Sequence, residues 1–374
     1  MSPATSALSS ARLARAARAG GGWMMGLLAI VMLAPRAMGA ERQVPLAPPL
    51  AVAEADAAPV GVPTPPAPAP AAASPALPPP PQLESDFKPR LPRDLFEAQI
   101  ALARDAICPG SIDGVSGAQT RNALIAFQQK YGLPTTGALD PNTRAMLQLR
   151  EAPLTAYTVT EADVARLRPW PKGWEAKAKL DRMDYSSVLE LIAEKSWTHP
   201  KQIVRINPQI TDWDHVLPGT VVAMPRVFRT PPLTRPARML ISLSQKTLQV
   251  YDADGHLLAH FPCSIAQRVE KRPVGRIEVV TSAPNPNYTF NPANFPESEE
   301  AQAIGRKLIL QPGPNNPVGV AWISLSLPGY GIHGSPEPEK IGRTESHGCF
   351  RLANWNADYL LPLVYPGLPI DVEP

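Results

Sequence analysis

Apolar side chains recur at intervals of three and four in two neighbouring stretches, Leu95, Ala98 and Leu102, then Leu124, Phe127 and Tyr131. Such intervals return each side chain to one face of a 3.6-residue turn and predict two helices with a buried stripe. A turn at Ile112, Asp113 and Gly114 separates them. A third short helix is predicted from Asp140, an N-cap whose carboxylate can take a backbone N–H, and Pro141, whose fixed φ suits the first helical position. Residues 188–195 predict another helix, and one containing Ile203 and Ile206 follows before Asn207 and Pro208. After Arg238 the period drops to two. Met239, Ile241 and Leu243 alternate, Leu248 and Val250 alternate, residues 252–255 form a hairpin turn, and residues 257–261 resume a strand. Residues 277–280, 320–325 and 330–333 are further strand candidates, so the last third of the chain is expected to be β-rich. Between them, residues 285–319 are crowded with Pro and Asn and predict a long loop lying over the sheet, a cover that faces substrate.

Composition changes the picture at the N-terminus. Arg12, Arg15 and Arg18 precede an apolar run over residues 23–33 and small residues ending at Gly39 and Ala40. The run is shorter than the roughly 20 residues a spanning helix needs, and the three-part pattern predicts a secretory signal over residues 1–40. Of the 47 prolines in 374 residues, many fall in residues 41–86, a Pro/Ala-rich stretch almost without aromatics. It cannot bury enough apolar area to offset its chain entropy, and an extended linker is expected there. Folded units are then predicted at residues 87–150, 155–228 and 237–374. The protein is expected to be exported, to the periplasm or the cell wall, with membrane attachment only if the signal stays uncleaved.

A net charge of +3 spread without runs gives no footprint for nucleic acid. The three cysteines, Cys108, Cys263 and Cys349, are an odd number, so at least one thiol lacks an intramolecular partner. Cys108 and Cys263 read as packing. A disulfide between those two is left open.

Cys349 is different because of what surrounds it. His333 is followed by Gly334, Ser335 and Pro336, and Cys349 is preceded by Ser346, His347 and Gly348 and followed by Phe350, Arg351 and Leu352. A histidine and a cysteine on two adjacent strand ends suit nucleophilic catalysis, since the imidazole raises the thiolate fraction and supplies the proton a leaving amine needs. Gly348 is expected to let the main chain turn so that its own N–H, with those of Cys349 and His347, meets a developing oxyanion. Metal ligation is the competing use of such residues, but tight ligand pairs are missing, and neither metal nor cofactor is expected.

Those residues resemble the L,D-transpeptidase catalytic domain, whose signature is a His-Gly pair followed by Ser/Thr-His-Gly-Cys and an apolar residue with Arg or Asn. Residues 273–275, 313–319 and Trp322 also look like that family, and the resemblance covers about residues 237–373. It implies a β-rich catalytic fold, Cys349 as nucleophile and His333 as acid/base. Gly334 would orient the ring through its carbonyl, with Ser346, His347 and Gly348 shaping the oxyanion site, and Arg351, Tyr330, Trp322 and Asn354 would lie at the substrate. Residues 93–149, through Asp113-Gly114, Thr120-Arg121, Phe127-Gln128, Gly137 and Asp140-Pro141, resemble a three-helix peptidoglycan-binding domain. The order of elements in residues 155–228, closing on Pro218-Gly219-Thr220, is similar to the back half of an α+β lysin-motif module, with a plain helical spacer as the alternative. The resemblance implies a peptidoglycan L,D-transpeptidase whose partners are stem peptides and glycan strands. Carboxypeptidase or endopeptidase action and attachment of an acceptor lipoprotein would use the same site, and a non-catalytic wall-binding scaffold is the rival of another class.

Overall fold

The computed structural model describes residues 76–343 and 348–374. The expected signal, most of the linker, Ser346 and His347 lie outside the described residues. Among the described residues, no helix is long and apolar enough to cross a membrane.

The first unit contains α1 (Leu95–Arg104), α2 (Ala118–Lys130) and α3 (Pro141–Met146). Ala98, Leu102, Ala123, Leu124 and Phe127 meet in one core, as the three-and-four spacing requires. Asp94 and Asp140 cap α1 and α3 by accepting the backbone N–H groups of Glu97 and Thr143. Two buried glutamines organise the loops. Gln99 accepts from the N–H groups of Asp113 and Gly114 at 3.0 and 2.7 Å, and Gln128 accepts from Gly137 N–H at 2.8 Å while donating to Thr143 Oγ1 at 2.9 Å. Removing one such amide strands several buried partners at once, so Gln128→Ala is expected to destabilise the fold by about 2–3 kcal/mol, read as a lower denaturant midpoint.

In the second unit, β1 (Leu154–Thr158) pairs antiparallel with β2 (Val221–Pro225). Between them come α4 (Glu161–Ala165), α5 (Trp174–Ala178), α6 (Val188–Lys195) and α7 (Pro200–Ile206). Val188, Leu191, Ile192, Ile203 and Val222 close a small core under the two strands. The buried Asn207 ties the end of α7 to β2, donating to Ile203 and Ala223 carbonyls and accepting from Ala223 N–H. Alternation over residues 154–158 is weak, and β1 is not anticipated by the sequence pattern.

The third unit is built on β3 (Arg238–Ser242), β4 (Thr247–Tyr251), β5 (Leu257–Pro262), β6 (Gly275–Pro284), β7 (Tyr288–Phe290), α8 (Glu299–Ile304), β8 (Leu308–Leu310), β9 (Ala321–Leu325), β10 (Gly331–His333), β11 (Phe350–Arg351), α9 (Asn354–Leu360) and β12 (Pro369–Glu373). Eight strands form one sheet in the order β11-β10-β9-β6-β12-β3-β4-β5. The sheet curls until its two ends meet, where Ser264, just past β5, exchanges two 2.9 Å backbone hydrogen bonds with Arg351. Met239, Ile241, Leu248, Val250, Ile323, Ile332, Phe350 and Ile370 fill its interior together with Leu360 of α9. The segment expected to be plain loop, residues 285–319, instead holds the β7–β8 hairpin and α8 around a cluster of Phe290, Leu308 and Leu310. Its apolar residues are too few and too scattered to show a period.

The units are fastened to each other. The outer edge of β5 is covered by the first unit, where Cys108 N–H donates to His260 carbonyl and His260 N–H to Ala106 carbonyl, so this edge is not left open to another chain. Met183, on the excursion between α5 and α6, joins the cluster under the β7–β8 hairpin.

Candidate active site

β10 and β11 run parallel, with Ile332 opposite Phe350 and His333 opposite Arg351. Ile332 and Phe350 are buried in the core. Side chains alternate along a strand, so Gly331, His333, Cys349 and Arg351 share the other face. Cys349 immediately precedes β11 and lies one diagonal step from His333. Diagonal neighbours have α-carbons about 7–8 Å apart, a gap that longer side chains reach across.

The imidazole of His333 is held from two sides. Its Nδ1 lies 2.7 Å from the carbonyl oxygen of Gly334. A carbonyl only accepts, so Nδ1 carries the proton and Nε2 presents a lone pair. The ring also stacks on Trp322, with centroids 5.5 Å apart and planes at 19°. Trp322 is anchored by its Nε1, which donates to Ser324 Oγ at 2.8 Å. Gly331 makes room for the indole, because a Cβ there would come within 2.6 Å of it.

Burial pushes the pKa of His333 down to about 4, with the Gly334 carbonyl opposing and Arg351 reinforcing that shift. Burial also raises the Cys349 thiol, against the Gly331 backbone N–H and Arg351, which lower it. Its Sγ lies 3.7 Å from the carbonyl oxygen of Gly329. The resting site therefore favours neutral thiol and neutral imidazole, where the sequence reading expects a raised thiolate fraction. Holding an ion pair on this enclosed face would cost more desolvation than the pair recovers.

The other predicted residues divide. Arg351 shares the face of His333 and Cys349, and burial lowers its pKa, with Cys349, Glu337 and Tyr288 opposing that shift. A Cβ built on Gly348 meets nothing among the described residues within 4 Å. Tyr330 packs against the core and donates its hydroxyl to Lys271 carbonyl at 2.9 Å. Alternation sets it on the side opposite to His333. Asn354 is 1% exposed and spends its amide on Glu194, Pro314 and Val320.

Tyr288 escapes the sequence reading. It stands on the hairpin over the site, and its hydroxyl pKa is raised by burial and by Cys349, with Arg351 opposing. The one hint is its place in the segment expected to cover the sheet. Cys108 and Cys263 are free and buried. Among the described residues, Asp252, Asp254 and His256 form a group of potential metal ligands within 4.8 Å of one another. They occupy the β4–β5 turn, where Asp252 accepts from the backbone N–H groups of Asp254 and His256.

Residues 236–372 match the YkuD family model, described as the L,D-transpeptidase catalytic domain, and residues 93–147 match the model of a peptidoglycan binding domain. The protein named "Putative L,D-transpeptidase YkuD" from Bacillus licheniformis is 28% identical over 50% of this chain and 93% of its own length. A Fuscovulum blasticum protein, "Putative L,D-transpeptidase in ATP synthase subunits region ORF 5", is 33% identical over 29% of this chain and 54% of its own. The solved L,D-transpeptidase 3 from Mycobacterium tuberculosis shares 20% identity over 43% of this chain and 77% of that one, with a TM-score of 0.30.

Proposed function

We propose that Cys349 and His333 carry an acyl transfer on peptidoglycan stem peptides, a reading supported by the match of residues 236–372 to the L,D-transpeptidase catalytic domain model and of residues 93–147 to a peptidoglycan binding domain model. The observation that carries this reading is the shared face of β10 and β11, with Nδ1 of His333 committed to Gly334 carbonyl and Nε2 left to accept a proton.

Nε2 takes the proton of the Cys349 thiol as the sulfur attacks the carbonyl carbon of the third stem residue. In this reading the backbone N–H groups of Cys349 and Gly348 receive the oxyanion. The bond to the terminal D-alanine then breaks, its nitrogen takes the proton from His333, and a thioester remains on Cys349. An acceptor amine next gives its proton to Nε2 and attacks the thioester carbon. The sulfur departs, regains that proton, and a 3→3 link is formed. Water as acceptor gives carboxypeptidase action, and a lipoprotein amine gives attachment. Because burial keeps the thiol neutral, general-base help from His333 is needed across the neutral range.

Arg351 and Tyr288, on the same face and above it, are the groups placed to hold the substrate carboxylate. The first unit binds the wall, and the second, a two-stranded sheet closed over α6 and α7, is the candidate glycan-strand binder. A weak wall site raises the local concentration of stem peptides around Cys349. Export by a signal over residues 1–40 completes the reading.

Rapid quenching of the enzyme with disaccharide tetrapeptide should give an intact-mass increase equal to the substrate less D-alanine, localised to Cys349 by peptide mapping. An adduct on another residue, or D-alanine release with no adduct at any time, would refute the thioester.

A further inference from the structure

Glu194, near the C-terminal end of α6 in the second unit, reaches into the third unit. Both of its carboxyl oxygens lie 3.1 Å from Nδ2 of Asn354, and Tyr185 donates its hydroxyl to one of them at 3.4 Å. Nδ2 of Asn354 also donates to Pro314 carbonyl at 3.0 Å, and its Oδ1 accepts from Val320 N–H at 3.3 Å. The amide therefore has both ends fixed.

What Asn354 presses on is the catalytic histidine's own anchor. A Cβ added to Gly334 would fall 2.3 Å from Asn354 Oδ1, and one added to Gly319 would fall 2.0 Å from the same atom. Gly334 is thus packed directly against the Asn354 amide, with no slack between them. Its carbonyl oxygen is the one that His333 Nδ1 donates to at 2.7 Å. A shift of Asn354 is passed to Gly334 and re-aims the imidazole.

We infer that Glu194 of the second unit is a positioning residue for His333, acting through Asn354 and Gly334. The inference rests on the reading of His333 as acid/base. A unit that the sequence leaves open between a lysin-motif-like module and a plain spacer then completes the geometry of the catalyst, and docking of the two units becomes a condition for turnover.

The surroundings of Glu194 say which substitution should preserve the contact. It lines a cavity of about 270 Å³ between the units, together with Glu190, His199 and Glu339. Burial raises its pKa to about 8, the bond from Asn354 opposes, Glu190 adds to the rise, Tyr185 opposes, and Asp184 adds a little more. Near neutral pH the carboxyl is largely protonated, and glutamine reproduces that form. Aspartate keeps the acid but withdraws its oxygens by one methylene.

Glu194→Gln and Glu194→Asp would be compared with wild type on disaccharide tetrapeptide, with Cys349→Ala as control. The expected result is that E194D lowers kcat about 10- to 100-fold with KM within twofold, as a misplacement of about 1 Å can do, and displaces the acid limb of the kcat/KM profile that belongs to His333. E194Q should stay within about threefold of wild type and keep that limb. Wild-type rates in E194D, or equal losses in E194D and E194Q, would overturn the inference, and so would a lower rate in E194D that only tracks its melting temperature with an unmoved limb. Turnover by the Cys349→Ala control would instead sink the parent reading, so the two failures are separable.

Discussion

Replacing Cys349 by alanine is expected to cut release of the terminal D-alanine by about 10⁴-fold or more, because in the proposed reaction the sulfur forms the covalent intermediate. The other two thiols are unsuited to the task. Cys108 and Cys263 are 1% and 0% exposed, and burial pushes the Cys263 thiol well above its usual pKa. The substitution removes one sulfur from a half-buried position, so the fold should be undisturbed. Sedimentation with purified sacculi should accordingly be the same for C349A and wild type, since residues 93–147, which match the peptidoglycan binding domain model, lie in another unit. Turnover by C349A within about tenfold of wild type would contradict a cysteine nucleophile.

His333→Gln should lower kcat/KM by about 10²- to 10⁴-fold, the usual worth of a positioned general base. The pH dependence is the sharper measurement. An imidazole with its pKa held near 4 stays unprotonated from neutral pH down to about pH 5, and only below about 4 does the proton on Nε2 block the reaction. The acid limb of kcat/KM, which reports the free enzyme, is therefore expected near pH 4 rather than near the ordinary histidine value of about 6.5. H333Q should lose that limb along with the rate. An acid limb near 6.5 in the wild type would mean that the ring is solvated and the packing against Trp322 is not what holds it.

Much of this organisation was legible before any coordinates. Residues 188–195 are helical to the residue, Asp140 caps α3 by its carboxylate, and β3 to β5 follow the alternation of Met239, Ile241, Leu248 and Val250. These elements are specified by neighbours in sequence, through side chains that recur with the period of the backbone. β12 was not legible. Its residues 369–373 alternate, with Ile370 and Val372 inward, but two apolar positions beside Pro366 and Pro369 are too short a run to mark a strand, and its place parallel to β3 and antiparallel to β6 in the middle of the sheet is set by distant partners. Its strand character comes from partners more than 90 residues away.

The site divides along the same line. His333 and Cys349 could be singled out from the chain because a nucleophile, a base and the glycines beside them, as proposed here, must occur as residue types in a fixed local order. Tyr288, Glu194 and the true place of Asn354 could not. Tyr288 gains its neighbours when the β7–β8 hairpin lies over β10 and β11, and Glu194 meets Asn354 only when two separately formed cores dock.

Protonation was likewise decided by packing. A sequence holding a cysteine and a histidine near each other suggests an ion pair, and nothing in it reveals how much water each group keeps. Burial removes that water, with the indole of Trp322 stacked on the imidazole, so the neutral forms prevail. By itself, then, the chain determined which atoms can react and which local elements carry them. Tertiary structure alone decided their charge, their aim and the distant groups that hold them, because desolvation and close packing depend on what surrounds a residue in space.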